Sequence, residues 1–272
     1  MTTIQIFINI FGAFGALTTV CLGFPQLLRL RKTKDSGNVK FLPYWIFFVG
    51  LLAWLVYGVF NKNEQGWYIF LSNFLCTLIY SFTMFYLYKY KKDYDKKMMW
   101  KPILGIILCE LVALAMFAVF IVTVWQKLKF GKFYDSAEHT SVIPTFDETT
   151  ALIIGLISPS FTTLAFLPQL IISLKKKDFR GQTPWMPLIF MMNNTWWIIY
   201  FALTLVSMNN IINDPNVAEA IRIQTKGGLR GIIGGITWQI VSLTVYGIQT
   251  AFIFNFESKM RKQEKLNPQT IK

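Results

Sequence analysis

The chain has 272 residues, of which 54% are hydrophobic, 17% aromatic and only 15% charged. Soluble domains have about a quarter charged residues, so this composition excludes an ordinary soluble domain and favours the bilayer as the solvent. The net charge of +13 lies mostly between apolar segments rather than on one helix face, which argues against a nucleic-acid-binding protein.

Seven apolar segments are long enough to cross a bilayer as helices, which takes about 20 residues each. In chain order we predict them at residues 4–30, 43–60, 66–88, 102–125, 151–174, 185–207 and 231–256. The first begins almost at Met1 and is longer than the core of a signal peptide, so we expect it to be retained as a helix. The sequence therefore predicts an all-α membrane protein with seven transmembrane helices.

The basic residues are distributed unevenly between the two sides of the membrane. If successive connections alternate, twenty of the 27 Lys and Arg residues fall on one side and seven on the other. By the positive-inside rule, the N-terminus is expected outside and the C-terminus in the cytoplasm, and we expect the plasma membrane as the location.

An internal repeat is visible when the chain is shifted by 143 residues. The shift superimposes rare residue types without a gap, which makes chance a poor explanation. The matched positions include Gly12 with Gly155, Thr19 with Thr162, Pro25 with Pro168, Gln26 with Gln169, Trp54 with Trp197 and Tyr57 with Tyr200.

The repeat divides the chain into two copies of a three-helix unit. We predict a first repeat at 1–97, a linker helix and outer loop at 98–149, a second repeat at 150–258 and a basic cytoplasmic tail at 259–272. Because the linker helix restores the orientation that three helices invert, the two bundles are expected to be parallel, in a 3+1+3 arrangement known among transporters.

The first and fifth segments each contain a Pro-Gln dipeptide, Pro25-Gln26 and Pro168-Gln169. Proline removes a backbone hydrogen bond and clashes with the preceding turn, so both helices should kink or loosen there. Proline also occurs in membrane helices as a simple bend. Its recurrence with an attached glutamine favours a pair of hinges.

Two amides and two indoles occupy matched positions in the two repeats. When Tyr80 is aligned with Tyr246, Asn73 falls opposite Gln239, and Trp54 already matches Trp197. Amides in membrane helices either tie helices together or face a polar cavity. Tryptophans often anchor at the interface, but an indole face beside an amide also binds flat ligands such as sugar rings. The symmetry favours a shared central binding site.

Two further side chains stand out inside the apolar segments. Asn193 and Asn194 form a polar spot in the sixth segment that the first repeat lacks, which predicts an asymmetric cavity. Glu110, in the fourth segment, is the one ionisable side chain away from a segment end. It is either a functional carboxylate or a group that is protonated or reaches water near the cytoplasmic end.

The sequence contains no catalytic motif, such as a Ser-His-Asp set, HExxH, a phosphate-binding glycine loop or paired acids. The three cysteines lie in apolar segments without metal-ligand spacing. We therefore expect no enzymatic activity, no cofactor and no metal. The expected partners are a small-molecule solute and the lipid bilayer. The sequence leaves open whether the protein forms a homo-oligomer.

The two Pro-Gln dipeptides, each followed by a basic turn and then by Trp-x-x-Tyr in the next helix, resemble the PQ-loop family. Within it, the 3+1+3 plan resembles the SWEET sugar transporters and their half-size relatives, the SemiSWEETs. This resemblance implies a transporter that opens alternately to each side, with a pocket lined at Trp54, Trp197 and Asn73. Gln239 departs from the expected Asn, and Phe201 replaces the Gly that the first repeat keeps as Gly58.

The lack of acids near this site favours facilitated diffusion of a small neutral solute, with a sugar as the first choice. A Pnu-type nicotinamide riboside or other vitamin carrier, an amino-acid carrier of the PQ-loop type, and a non-transporting receptor or scaffold remain alternatives. The sequence leaves the solute, its direction and any proton coupling open.

Overall fold

The computed structural model describes residues 2–37, 39–60, 66–131, 142–176, 179 and 184–266, apart from some side chains in these ranges. All regular secondary structure in this part of the chain is helical, as predicted. A short 3-10 helix, Lys96–Met98, precedes α5. The α-helices are α1 Thr3–Cys21, α2 Phe24–Thr33, α3 Leu42–Phe60, α4 Gly66–Lys89, α5 Trp100–Phe130, α6 Glu148–Leu164, α7 Leu167–Lys176, α8 Trp185–Asn213 and α9 Glu219–Leu266.

Six helical segments of the described chain are long and apolar enough to cross a membrane, when α1 and α2 are counted as one segment. The predicted span at 151–174 is formed by two helices, α6 and the shorter α7, and the apolar part of α6 alone falls below the length for a full crossing. The protein is therefore an all-α, multi-pass membrane protein with the predicted 3+1+3 order of helices.

The predicted end of the sixth span at 207 is wrong, because its apolar helix runs to Asn213, whereas the predicted start of the seventh span at 231 agrees with the apolar segment Gly231–Met260. Helix α8 continues to Asn213, and α9 begins at Glu219 and has 48 residues. Between them Asp214 closes a tight turn by accepting a hydrogen bond from the backbone N–H of Asn216 at 2.9 Å. Hydropathy marks where lipid contact ends, whereas a helix continues until a turn breaks it.

The helices pack as two similar three-helix groups. In the first, α4 lies between α1 and α3, and in the second, α9 lies between α6 and α8. The groups meet along two seams, α1 with α8 and α3 with α6, while α5 packs on α3 and α4. This pairing follows the internal repeat, since equivalent helices occupy equivalent places in each group.

Matched glycines allow close contact at both seams. A Cβ atom added to Gly12 of α1 would lie 3.2 Å from the ring of Tyr200, and one added to Gly155 of α6 would lie 3.3 Å from the ring of Tyr57. Each repeat therefore supplies the glycine that receives the tyrosine of the other. The glycine and tyrosine positions that the 143-residue shift aligns therefore pair crosswise, each glycine with the tyrosine of the other repeat.

The end of the bundle where α2 and α4 terminate, here called the basic end, is held by hydrogen bonds to free carbonyls. The ammonium group of Lys96 donates to the carbonyls of Tyr88 and Lys89 in the last turn of α4 and of Lys91 just after it. Such donors satisfy the orphan acceptors of a helix C-terminus. Ser36 donates to the carbonyl of Leu87 at 2.5 Å and fixes the turn after α2 on α4.

Candidate functional site

The first predicted hinge coincides with a break in the helix. Helix α1 ends at Cys21, α2 begins at Phe24, and Pro25 lies in the first turn of α2, where a missing N–H is tolerated. Gln26 is 2% exposed, and its Nε2 atom has no hydrogen-bond partner among the described residues. The backbone thus divides where the sequence predicted, while hinge motion stays a prediction.

The second predicted hinge also lies at a break. Helix α6 ends at Leu164 and α7 begins at Leu167, so Pro168 again falls in the first turn after the interruption. The side chain of Gln169 lies outside the described part of the structure. Both Pro-Gln positions therefore follow a helix break on the same side of the bundle.

A pocket lies between the two halves, at the level where the indoles were expected. The empty space in it, together with the adjoining open solvent, is about 540 Å³. Six helices contribute to it, and none of its described lining residues has an ionisable side chain. The lining residues are Thr19, Leu22, Phe47, Leu51, Trp54, Ile69, Asn73, Thr162, Thr163, Phe190, Asn193, Asn194, Trp197, Phe201, Gln239 and Ser242.

The structure brings together at this pocket all six residues that the sequence marked as candidates for substrate binding. Trp54 and Asn73 come from the first half, and Asn193, Asn194, Trp197 and Gln239 from the second. All six are buried, with side chains at most 9% exposed. Their contact with a solute stays a prediction.

The second half supplies a hydrogen-bonded polar wall. The amide nitrogen of Asn194 donates to the hydroxyl of Ser242 at 2.9 Å, which joins α8 to α9. The amide nitrogen of Asn193 lies 2.7 Å from the Thr19 hydroxyl, which joins α8 to α1. The predicted asymmetry is present, because Gly50 and Leu51 occupy the equivalent positions of the first half.

Several polar atoms at the pocket have no hydrogen-bond partner among the described residues. Gln239 makes no hydrogen bond to a described residue, and its Oε1 atom is buried. The indole N–H of Trp54 has no acceptor in the same part of the chain. The amide nitrogen of Asn73 donates to the carbonyl of Ile69 at 2.7 Å, and its carbonyl oxygen accepts from no described residue. A neutral ligand with hydroxyl groups would satisfy all three.

An aromatic layer lies between the pocket and the basic end. Phe47 and Phe190, one from each half, pack edge to face with ring centroids 5.4 Å apart. Phe190 also stacks on Tyr246 at 4.3 Å, and Phe47 tilts onto Tyr80 at 5.0 Å. These contacts place apolar aromatic surface between the halves on that side.

The replacement of Gly58 by Phe201 has a packing reason in each half. A Cβ atom on Gly58 would lie 2.8 Å from the backbone nitrogen of Phe70, so α3 and α4 approach too closely there for a side chain. In the second half Phe201 packs over Gly235 of α9, where an added Cβ would be 3.2 Å from its ring. The large side chain thus reshapes one wall of the pocket.

Glu110 is not part of the pocket lining. Its carboxylate oxygen accepts a hydrogen bond from Ser81 at 2.5 Å, so it joins the linker helix α5 to α4. Gly105, one turn and a half earlier, packs against Trp45. The contacts support a structural tie between α5 and the first half.

The sequence did not indicate two polar pocket residues, Ser242 and Thr19, as solute ligands or positioning groups. Ser242 has no polar match in the first repeat, where the aligned residue is Cys76. Thr19 was noted only as a repeat match to Thr162, although both threonines line the pocket. Among the described residues, no group of three His, Cys, Asp or Glu is placed to hold a metal ion.

Comparisons with known proteins point to one group of membrane transporters. Residues 6–95 match the family model described as "Sugar efflux transporter for intercellular exchange". The first half is similar to sugar transporters. The sugar transporter SemiSWEET of Leptospira biflexa is 28% identical over 78 residues, which are 29% of this chain and 88% of that protein. The solved structure of a eukaryotic SWEET transporter aligns with a TM-score of 0.49 and 15% identity, over 92% of this chain and all of that one.

Proposed function

We propose that this protein is a carrier that moves a small neutral sugar across the plasma membrane by facilitated diffusion. The observation that carries the proposal is the uncharged pocket between two pseudo-symmetric halves, which contains the indole of Trp54, the unpartnered amide of Gln239 and the carbonyl oxygen of Asn73. An apolar face beside several hydrogen-bonding groups suits a sugar ring, which has apolar C–H faces and hydroxyl edges. The similarity of residues 6–95 to sugar transporters supports the same solute class.

Alternating access is the mechanism that we propose. The aromatic layer of Phe47 and Phe190 would close the pocket toward the basic end, and Tyr57 and Tyr200 would close it toward the other. The helix breaks before Pro25 and Pro168 would let the basic ends of α2 and α7 move relative to α1 and α6. In this proposal the basic end faces the cytoplasm, because most Lys and Arg residues fall there.

Uptake into proteoliposomes tests the function. Labelled D-glucose, sucrose, nicotinamide riboside and amino acids are offered in parallel, and we expect uptake of a sugar alone. Entry of nicotinamide riboside or an amino acid instead would replace the sugar with that solute. If nothing crosses while the protein is folded, a receptor or scaffold is the better account.

Two substitutions connect the flux to the pocket. Trp54→Ala and Asn73→Ala should each abolish uptake while the protein remains folded. Trp100→Ala and Asn213→Ala serve as matched controls, because both side chains are exposed and lie away from the pocket. Unchanged flux in both pocket variants would contradict the assignment of the site.

A further inference from the structure

The two matched indoles of the pocket have different surroundings. The N–H of Trp197 donates to the hydroxyl of Thr19 at 3.1 Å. The N–H of Trp54 has no acceptor within the described ranges, although Thr162 is the residue equivalent to Thr19. The hydroxyl of Thr162 donates to the carbonyl of Pro159 within its own helix, as that of Thr19 does to Gly15, but it accepts from no indole among the described residues. The sequence repeat alone would assign both tryptophans the same role.

Asn193 lies beside the hydrogen bond of Trp197 and joins α8 to the same part of α1. Its amide nitrogen lies 3.0 Å from the carbonyl of Gly15, 3.0 Å from the hydroxyl of Thr18 and 2.7 Å from the hydroxyl of Thr19. The carbonyl of Gly15 can only accept, which fixes the orientation of the amide. Its donors are therefore all directed at α1, and none is left for a solute.

The hydroxyl of Thr19 is saturated by this arrangement. It donates to the carbonyl of Gly15 at 2.9 Å and accepts from both Asn193 and Trp197. The indole of Trp197 lies directly on Gly15, where an added Cβ would be 2.9 Å from Cε2 of the ring. We call Gly15, Thr18, Thr19, Asn193 and Trp197 the α1–α8 clamp. It fixes the position of one indole and uses up its only donor.

Among the described residues, the other seam has no such clamp. Gly50 stands where the second half has Asn193, and an added Cβ there would lie 2.8 Å from Cγ2 of Thr162. Helices α3 and α6 thus meet through small groups without a polar bridge at this level. The indole of Trp54 keeps its N–H for another partner.

We propose that Asn193 is a positioning residue that holds Trp197 against α1 through Thr19, and that Trp54 is the indole whose N–H binds the solute. This inference rests on the proposed function for its second part only. It differs from the sequence prediction, in which Asn193 was a solute ligand and the two tryptophans were equivalent. In the resulting pocket Trp197 is a fixed wall, while Trp54 and the free amide of Gln239 provide hydrogen bonds.

The indole N–H signals of protein labelled with ¹⁵N-tryptophan test the clamp without any solute. Trp54→Phe and Trp197→Phe variants assign the two signals in lipid nanodiscs. We expect the N–H of Trp197 to exchange with solvent at least about tenfold more slowly than that of Trp54, because one N–H is hydrogen-bonded and the other is not. Equal exchange in the wild-type protein would overturn the clamp.

Variants of the clamp test whether Thr19 and Asn193 hold Trp197 in place, as distinct from a general disturbance of the fold. Thr19→Val should remove the protection of Trp197, and Thr19→Ser, which keeps the hydroxyl, should restore it. Asn193→Leu should increase the exchange of Trp197, whereas Thr195→Val, an exposed position on the same helix, should not. If Thr19→Val fails to fold, Asn193→Leu and Thr19→Ser give the same comparison. Protection of Trp197 that survives loss of the amide overturns the role of Asn193.

Addition of D-glucose tests the second part of the proposal, that the N–H of Trp54 binds the solute. We expect the N–H signal of Trp54 to shift and that of Trp197 to keep its hydrogen-bonded position. Trp54→Phe should raise the KM for D-glucose by roughly tenfold, the effect of one lost hydrogen bond. A larger shift at Trp197 overturns the inequivalence of the indoles. Indole signals that all ignore D-glucose contradict the proposed solute, while the exchange data still decide the clamp.

Discussion

Replacing Gly15 by alanine is a direct perturbation of the contact between α1 and α8. The added methyl group would lie 2.9 Å from Cε2 and 3.0 Å from Cδ2 of Trp197. Carbon atoms pack without repulsion at about 3.5–4.0 Å, so the indole must move by roughly 0.6 Å or more. Trp197 is 6% exposed and donates to Thr19, so it has little room to move. We expect an overpacking cost of about 1–3 kcal/mol.

The gain in helix propensity on replacing glycine by alanine, about 1 kcal/mol, partly hides this cost. Gly247→Ala removes the ambiguity, because its added methyl would meet only Cε of Met191 at 3.8 Å, an ordinary contact. The propensity term is common to both variants and cancels in the comparison. We therefore expect Gly15→Ala to be about 1–3 kcal/mol less stable than Gly247→Ala.

Reversible unfolding in mixed micelles at 25 °C measures the free energy of unfolding of both variants. Uptake into proteoliposomes measures the effect of each substitution on transport. Gly15→Ala should lose most of its sugar flux because the displaced indole narrows the pocket, while Gly247→Ala should keep its flux. Equal stability and equal flux in the two variants would refute the close contact between Gly15 and Trp197.

Three further predictions concern the pocket and its surroundings. Gln239→Leu should raise the KM for D-glucose about tenfold, measured by initial uptake rates, because leucine has a similar volume but lacks the free amide. Glu110→Gln should keep flux within about twofold of the wild type, since the amide oxygen still accepts from Ser81; a much larger loss in the same assay would show that the carboxylate takes part in transport. Uptake should be unchanged by a pH gradient across the vesicle between about pH 6 and 8, because the described pocket lining contains no titratable side chain.

The sequence predicted the framework of the site because the repeat fixes equivalent positions in three dimensions. Trp54 and Trp197 meet at one pocket for this reason, and the helix breaks follow from the chemistry of Pro25 and Pro168. These features depend on residue type and spacing along one helix, which a sequence displays directly.

The hydrogen-bond partners could not be predicted in the same way. Asn193 was recognised as polar and asymmetric, but its partner Thr19 is 174 residues away along the chain and on another helix. Which face of α1 meets α8 depends on the close approach at Gly15, and many rotations of the two helices fit the same hydropathy. The long extension of α9 was missed for a related reason, since its first turns lie beyond the apolar segment.

The most direct test of the carrier account is counterflow in proteoliposomes. Vesicles that contain the purified protein are loaded with unlabelled D-glucose and diluted into a trace of labelled D-glucose. A carrier with one pocket and alternating access should accumulate label transiently above its equilibrium level, and Trp54→Ala should not. Label that only equilibrates, or that enters equally well with Trp54→Ala, would contradict a solute pocket between the two halves.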